Sequence, residues 1–131
     1  MARMHGALLH VVACQVWDHT EVLSPKDATR VVVGAQANPL EATDLAFLRS
    51  RFSENTTSHG WPGDSRYRFE RGDSRLLIWT GEYQADWWVS APTEGALVTL
   101  LRELRDCDSL QQSWWNSSDE RGKRALRTLE S

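Results

Sequence analysis

The stretch SRYRFERGDSRLLIWTGEYQADWWVSAPTEGALVTLLREL, residues 65–104, decides the fold because it predicts three short strands followed by one amphipathic helix. Residues 66–70 alternate between charged and aromatic side chains, which is the period of a half-buried strand. Residues 76–79 are apolar at four successive positions, as expected of a central strand that is covered on both faces. A third strand is predicted over residues 85–91, and Pro92 ends it.

Two turns set how the three strands align. Gly72-Asp73 is the predicted loop of the first hairpin, because glycine at the first central position supplies the positive φ of a type II′ turn. Residues 81–84 form the second loop, which pairs Thr80 with Ala85. The pairs expected across the first hairpin are Tyr67 with Ile78, Phe69 with Leu76 and Glu70 with Arg75.

This alignment sorts the side chains into two faces, since successive residues of a strand point to opposite sides. The first, named the core face, is expected to be buried and carries Tyr67, Phe69, Leu76, Ile78, Trp87 and Val89. The second, named the outer face, carries Arg66, Arg68, Glu70, Arg75, Leu77, Trp79, Asp86, Trp88 and Ser90. The next element, a helix, is expected to start after a Thr93 cap and to pack on the core face through Leu97, Val98, Leu100, Leu101 and Leu104.

Two strands and a helix are predicted before this stretch. The strands cover residues 8–17 and 29–35 and would pair as an antiparallel hairpin. The motif NPLE at residues 38–41 predicts a helix start, with asparagine as the cap and proline at the first helical position. The helix is expected to fade near Ser53, before a loop over residues 54–64. Its apolar stripe is Leu45, Phe47, Leu48 and Phe52.

The chain after the central stretch is predicted to be helical. Residues 108–115 are interpreted as a short helix that carries Leu110 and Trp114. The motif at residues 117–120, Ser-x-x-Glu, resembles a capping box, although Gly122 lowers the helix propensity of the residues around it. The residues of this last helical face are Ala125, Leu126 and Leu129. Together the elements predict a single α+β domain over residues 1–131. Its antiparallel sheet of about five strands carries helices mainly on one face, in the order β-β-α-β-β-β-α-α.

Composition is that of an ordinary globular protein except for tryptophan. The 131 residues are 40% hydrophobic and 25% charged, but they include seven tryptophans. The net charge is −3 without a basic stripe, which disfavours nucleic-acid binding. Cys14 and Cys107 lie in no metal-like spacing and suit two free thiols in a reducing cytoplasm, with a single disulfide bridge between them as the alternative. The apolar run at residues 7–13 is too short to span a membrane, so a cytoplasmic protein without an anchor is expected.

No segment matches a catalytic, metal or nucleotide-binding signature, so no cofactor is expected. The four histidines do not pair at the spacing of a helical zinc site. His59, in the same loop as Trp61, is the best single candidate for proton chemistry. It would need Asp64 or Glu82 within hydrogen-bond reach. Residues 71–73 spell the integrin-recognition tripeptide Arg-Gly-Asp, but the need for a hairpin turn explains the Gly-Asp pair.

The outer face allows two interpretations. In the first, the chain itself covers this face. In the second, the face is open and binds a partner, since binding hot spots are enriched in Trp, Tyr and Arg. Arg66 stands opposite Trp79 and is expected to form a cation–π pair with it. The proposed contact residues are Arg66, Arg68, Trp79 and Trp88, extended by Tyr83, Trp61 and Trp115.

This pattern favours a non-enzymatic protein-binding module of the small immunity, inhibitor or adaptor type. Its partner would be another protein, such as a toxin, or a second copy of the chain. Small bacterial immunity and inhibitor proteins are similar in size, acidity and style of sheet, without a shared motif. Two alternatives are a small-ligand or carbohydrate-binding domain with Trp stacking platforms, and a small enzyme that uses His59 with a nearby carboxylate. If the outer face is open, Trp88→Ala should leave folding intact, whereas Trp87→Ala should cost roughly 3–5 kcal/mol of stability.

Overall fold

The computed structural model describes residues 30–55, 65–111 and 113–130, which form an antiparallel six-stranded sheet with three α-helices. The strands are β1 (Val31–Ala37), β2 (Ser53–Glu54), β3 (Ser65–Arg71), β4 (Ser74–Thr80), β5 (Ala85–Ala91) and β6 (Trp114–Asn116). The helices are α1 (Ala42–Arg51), α2 (Glu94–Leu104) and α3 (Glu120–Glu130), and a 3-10 turn covers Asp108–Leu110. The order across the sheet is β2-β3-β4-β5-β1-β6. The α+β class and the antiparallel sheet are therefore confirmed.

Both hairpin alignments predicted for the central stretch are confirmed. Phe69 pairs with Leu76 across the first hairpin, and Thr80 pairs with Ala85 across the second. Gly72 has a φ of +59°, the left-handed conformation that glycine adopts without steric cost. The two faces of β3, β4 and β5 are therefore populated by the residues expected from the alternation.

The core lies between the core face of the sheet and the helices. Trp87 is 1% exposed and belongs to one continuous apolar cluster with the apolar stripe of α2. Thr93 caps α2 as predicted, because its side-chain oxygen accepts a hydrogen bond of 3.1 Å from the backbone N–H of Ala96. The core-face members of this cluster are Phe69, Leu76, Ile78, Trp87 and Val89, with Tyr67 packed against its rim.

Helix α1 starts later than predicted, because its capping partner is a buried carboxylate rather than Asn38. Glu41 is the N-cap, and its backbone N–H donates to Asp44 Oδ2 in a reciprocal capping box. Asp44 is 2% exposed and also accepts hydrogen bonds from the backbone N–H groups of Asp108, at 2.8 Å, and Ser109, at 3.2 Å. Asn38 instead lies in a bend just after β1, where its backbone N–H donates to the Ser109 carbonyl.

The short helix predicted over residues 108–115 is wrong. Only Asp108–Leu110 forms a 3-10 turn, and Trp114–Asn116 is a strand that pairs with β1. Pairing with β1 satisfies the backbone groups of this segment and sends the neighbouring side chains of Trp114 and Trp115 to opposite faces. The last helix is confirmed as α3.

Gly122 in α3 has a packing role that the sequence does not reveal. A Cβ atom at this position would lie 2.7 Å from the Val32 carbonyl oxygen and 2.7 Å from Ser117 Cβ, closer than real contacts allow. The Ser117 hydroxyl occupies the same space and donates a hydrogen bond of 2.6 Å to the Val32 carbonyl. Glycine is therefore what lets α3 approach β1 this closely.

Several predictions concern residues outside the described ranges: the strand over residues 8–17, most of the loop at 54–64, and the side chains of Cys14, His59, Trp61 and Asp64. The strand predicted at residues 29–35 is β1, which pairs with β5 on one side and with β6 on the other. Within the described ranges, no helix has the length and apolar character needed to span a membrane.

Candidate functional site

The centre of the outer face is buried. Trp88 is 3% exposed and forms a small second cluster with Leu77 and Val32. Its indole lies against β1 at Gly34, where a Cβ atom would be 3.9 Å from the Trp88 ring. The expectation that Trp88 stands on an open surface is therefore wrong. At this position the chain itself covers the outer face.

One end of the outer face is covered by a side chain from the start of the described chain. Arg30 is buried, and its Nε donates a hydrogen bond of 3.2 Å to Ser90 Oγ. Its backbone carbonyl accepts a hydrogen bond of 3.0 Å from Arg121 Nη2. Near the β3–β4 turn Glu70 is exposed and Arg75 is partly exposed, and at the opposite end, near the β4–β5 loop, Arg66 and Trp79 are partly exposed.

At that end the strand pairing places five outer-face side chains in one line across the sheet, named the transverse row. Its members, from β3 to β6, are Arg66, Trp79, Asp86, Gln36 and Trp114. Neighbouring strands lie about 4.8 Å apart, so the backbones of Trp79 and Trp114 are separated by about 14 Å. Two indole side chains therefore flank a carboxylate and an amide.

The predicted cation–π pair is present at one end of the transverse row. The Arg66 guanidinium carbon lies 4.2 Å from the centre of the Trp79 ring, and both side chains are partly exposed. Such a pair contributes about 0.5–1 kcal/mol at exposed sites. Arg66 thus holds one face of the Trp79 indole, which limits the conformations of both side chains.

The middle of the transverse row is polar and mostly enclosed. Asp86 is buried, and its Oδ1 accepts a hydrogen bond of 3.2 Å from Gln84 Nε2. Gln36 Nε2 is buried and makes no hydrogen bond within the described part of the chain. A buried amide donor without an acceptor costs about 1–3 kcal/mol.

The most exposed large apolar side chains among the described residues lie at one end of the transverse row and in the adjacent loop. Trp114 is 47% exposed at the β6 end, and Tyr83 is 83% exposed in the loop between β4 and β5. Sequence reasoning missed Trp114 as a contact residue because it assigned the residue to a helix. A strand assignment for residues 114–116 would have placed Trp114 on the face opposite Trp115.

The sequence-proposed contact residues divide among several places. Arg66 and Trp79 belong to the transverse row, while Arg68 and Trp88 lie in the next line, where Arg68 is opposite Leu77. The remaining residues are Tyr83 at the loop tip, Trp115 on the core side, packed against the main cluster, and Trp61 outside the described residues.

The Arg-Gly-Asp segment is used inside the fold. Arg71 donates two hydrogen bonds to the Glu103 carboxylate, of 2.9 and 2.6 Å, and its guanidinium carbon lies 4.6 Å from the centre of the Phe52 ring. The hydrogen bonds from Arg71 hold the pKa of Glu103 below its ordinary value. Because Arg71 is engaged with α2, the loop does not present the whole tripeptide to a partner.

Groups suited to catalysis are not assembled in the part of the chain that the structure describes. Glu82 is exposed in the β4–β5 loop, whereas His59 and Asp64 lie outside the described ranges. Burial raises the pKa of the Cys107 thiol to about 12, which keeps it protonated and unreactive. Among the described residues no three His, Cys, Asp or Glu side chains are grouped as metal ligands.

Comparison with known proteins adds little to this geometry. No family model matches the chain, and no curated protein matches it. Among solved structures, the chain is similar to the NMR structure of PA4090 from Pseudomonas aeruginosa, with 13% sequence identity and a TM-score of 0.39. The match covers 68% of this chain and 98% of that chain. A similarity at this level supports no inference about function.

Proposed function

We propose that the protein is a non-enzymatic binding module for another protein, of the immunity, inhibitor or adaptor type, and that the transverse row is its contact surface. The observation that carries the proposal is the partly exposed Trp79, held by Arg66 at 4.2 Å, in line with Trp114, which is 47% exposed. Trp and Arg side chains of this kind dominate the binding energy of protein interfaces.

The setting of these side chains favours binding. Trp79 lies on the same face as the buried Trp88 cluster, on strands that are paired on both sides. Rigid aromatic side chains lose little conformational entropy on association, which leaves more of the contact energy as affinity. Tyr83 at the adjacent loop extends the apolar area that a partner would cover.

The partner that we propose is a folded protein such as a toxin, or a second copy of this chain, met in the cytoplasm. The free, buried Cys107 thiol is compatible with a reducing compartment. The net charge of −3 supports a protein partner over a nucleic acid.

The test is affinity capture with the full chain as bait, comparing the wild type with Trp79→Ala, Trp114→Ala and the control Thr99→Ala, an exposed position on α2. A partner should bind the wild type and Thr99→Ala alike. Its affinity for the Trp114 variant should fall by at least about tenfold, as for hot-spot residues worth about 2 kcal/mol or more. Analytical ultracentrifugation of the same variants measures self-association. Equal capture by all four proteins would refute the assignment of the surface.

A carbohydrate ligand is the second candidate, and the polar centre of the transverse row favours it. Asp86 and Gln36 lie between two indoles whose backbones are about 14 Å apart, so a sugar could stack on the exposed parts of the rings, with the partly exposed Gln36 as the nearest amide for its hydroxyl groups. Titration with an oligosaccharide panel tests this alternative. Binding that is lost in both Gln36→Leu and Trp114→Ala would favour a sugar over a protein partner.

A further inference from the structure

A groove of about 350 Å³ lies on the helix side of the sheet, away from the transverse row. It is formed where the second half of α2, the end of α3 and strand β6 meet. Its apolar walls are Leu101, Leu126 and Leu129, and Trp115 is partly buried among them. Its volume is at the lower end of the range for small-molecule sites.

Trp115 is present in this groove because of its strand register. It pairs with Ala35 of β1, so its indole points to the core side, whereas its neighbour Trp114 points to the outer face. The indole packs against the main apolar cluster and still lines the groove. A bound apolar chain would therefore contact both leucine side chains and an aromatic ring.

Arg105 is a cation at the rim of the same groove. Its Nη2 donates a hydrogen bond of 2.7 Å to the Leu129 carbonyl, which links α2 to the end of α3. Arg71 and Arg124, in contrast, are each paired with a glutamate. No carboxylate pairs with Arg105 in the described part of the chain. The exposed Glu130 lies at the same rim and also makes no ion pair among the described residues.

We propose that this groove binds a small amphipathic monocarboxylate, with its alkyl body against Trp115 and the leucine walls and its carboxylate on Arg105. The Leu129 carbonyl uses one donor of the guanidinium and thereby fixes its position, while the other nitrogens remain to receive a carboxylate. Glu130 predicts the direction of one change in affinity: its negative charge opposes an anionic ligand, so its removal should strengthen binding.

The probe is octanoate, titrated into the full-length ¹⁵N-labelled chain and followed by NMR, with octylammonium and 1-octanol as matched controls. Octanoate should shift the Trp115 indole N–H signal, which is identified by its loss in Trp115→Phe. Arg105→Gln should weaken octanoate binding by roughly tenfold or more, since it removes a charge-assisted hydrogen bond. Glu130→Gln should tighten it, and octylammonium should bind more weakly than octanoate.

Two further variants separate this site from structural damage and from the proposed function. Arg105→Lys keeps the charge and a donor for the Leu129 carbonyl, and it should retain most of the affinity that Arg105→Gln loses. Trp79→Ala, on the outer face, should leave octanoate binding unchanged. The inference is overturned if octanoate causes no shift at millimolar concentration, if octylammonium binds equally well, or if Arg105→Gln has wild-type affinity.

Discussion

The contact between α3 and β1 at Gly122 predicts that Gly122→Ala lowers the free energy of unfolding, although helix propensity alone predicts that it raises it. In an open helical position, Gly→Ala stabilises by up to about 1 kcal/mol. At Gly122 the added methyl group would meet the Val32 carbonyl oxygen and Ser117 Cβ, each at 2.7 Å. Relieving such overpacking costs about 1–3 kcal/mol. Displacing the Ser117 hydroxyl from the Val32 carbonyl would remove a hydrogen bond worth about 1 kcal/mol.

The lost hydrogen bond and the gained propensity nearly cancel, so Gly122→Ala should destabilise by about 1–3 kcal/mol. For a chain of this size that corresponds to a loss of roughly 4–12 °C in Tm. Urea unfolding followed by tryptophan fluorescence gives the free energy of unfolding, and circular dichroism gives Tm.

Gly95 in α2 provides the matched control. No atom lies within 4 Å of the position that its Cβ would occupy, so Gly95→Ala should be neutral or stabilising. Combining Gly122→Ala with Ser117→Gly should cost less than the sum of the two single changes, because the second change removes both Ser117 atoms that the added methyl group would meet. If Gly122→Ala raises Tm as Gly95→Ala does, α3 does not pack closely against β1 at Gly122 and the reasoning is refuted.

Three other outcomes are expected from the burial and charge of particular residues. Trp87→Ala and Trp88→Ala should both destabilise the fold, by roughly 3–5 kcal/mol for Trp87. Trp114→Ala should change the free energy of unfolding by less than about 1 kcal/mol. A fully stable Trp88→Ala variant would contradict the burial of that side chain. The pKa of Glu103 is lowered in the fold, so its pairing with Arg71 stabilises the fold at pH values above the ordinary pKa of 4.5, and this stabilisation is lost as the pH falls through the folded pKa. Urea titrations below pH 4.5 should therefore show a smaller loss of unfolding free energy in Glu103→Gln than in the wild type, and equal losses would refute the pairing. Cys107 should resist iodoacetamide at about pH 8 in the native state and react in urea, as site-resolved mass spectrometry would show; rapid native labelling would mean that the thiol is accessible.

The alignment of β3, β4 and β5 was predictable because it depends on local information. Gly72 identifies the first loop, and strict alternation in β3 admits one register. The burial of Trp88 was not predictable in the same way. Alternation states which side of the sheet a side chain occupies, but coverage of that side depends on residues distant in the sequence, such as Arg30 over Ser90.

The errors near both ends of the described chain have the same origin. Three residues, Trp114 to Asn116, are too few to show a period, and they become a strand only because β1 lies beside them. Asn38 is a residue type that commonly caps helices, but the helix is instead capped at Glu41 with Asp44 as its partner. The 3-10 turn supplies two further backbone donors to the Asp44 carboxylate. Of the candidate site, the pair of Arg66 and Trp79 could be predicted from the register, whereas Trp114 and the groove at Arg105 depend on the packing of separate elements.

The carboxylate of Asp44 has a consequence for the order of events during synthesis. Its partner at Asp108 lies 64 residues further along the chain, so the start of α1 cannot acquire its final contacts while only the first half has left the ribosome. Strand β1 must likewise wait for β5 and β6, which are made after it. Slow closure of these distant contacts should delay completion of the sheet until β6 has been synthesised, with the β3–β4 hairpin as the earliest unit able to form alone.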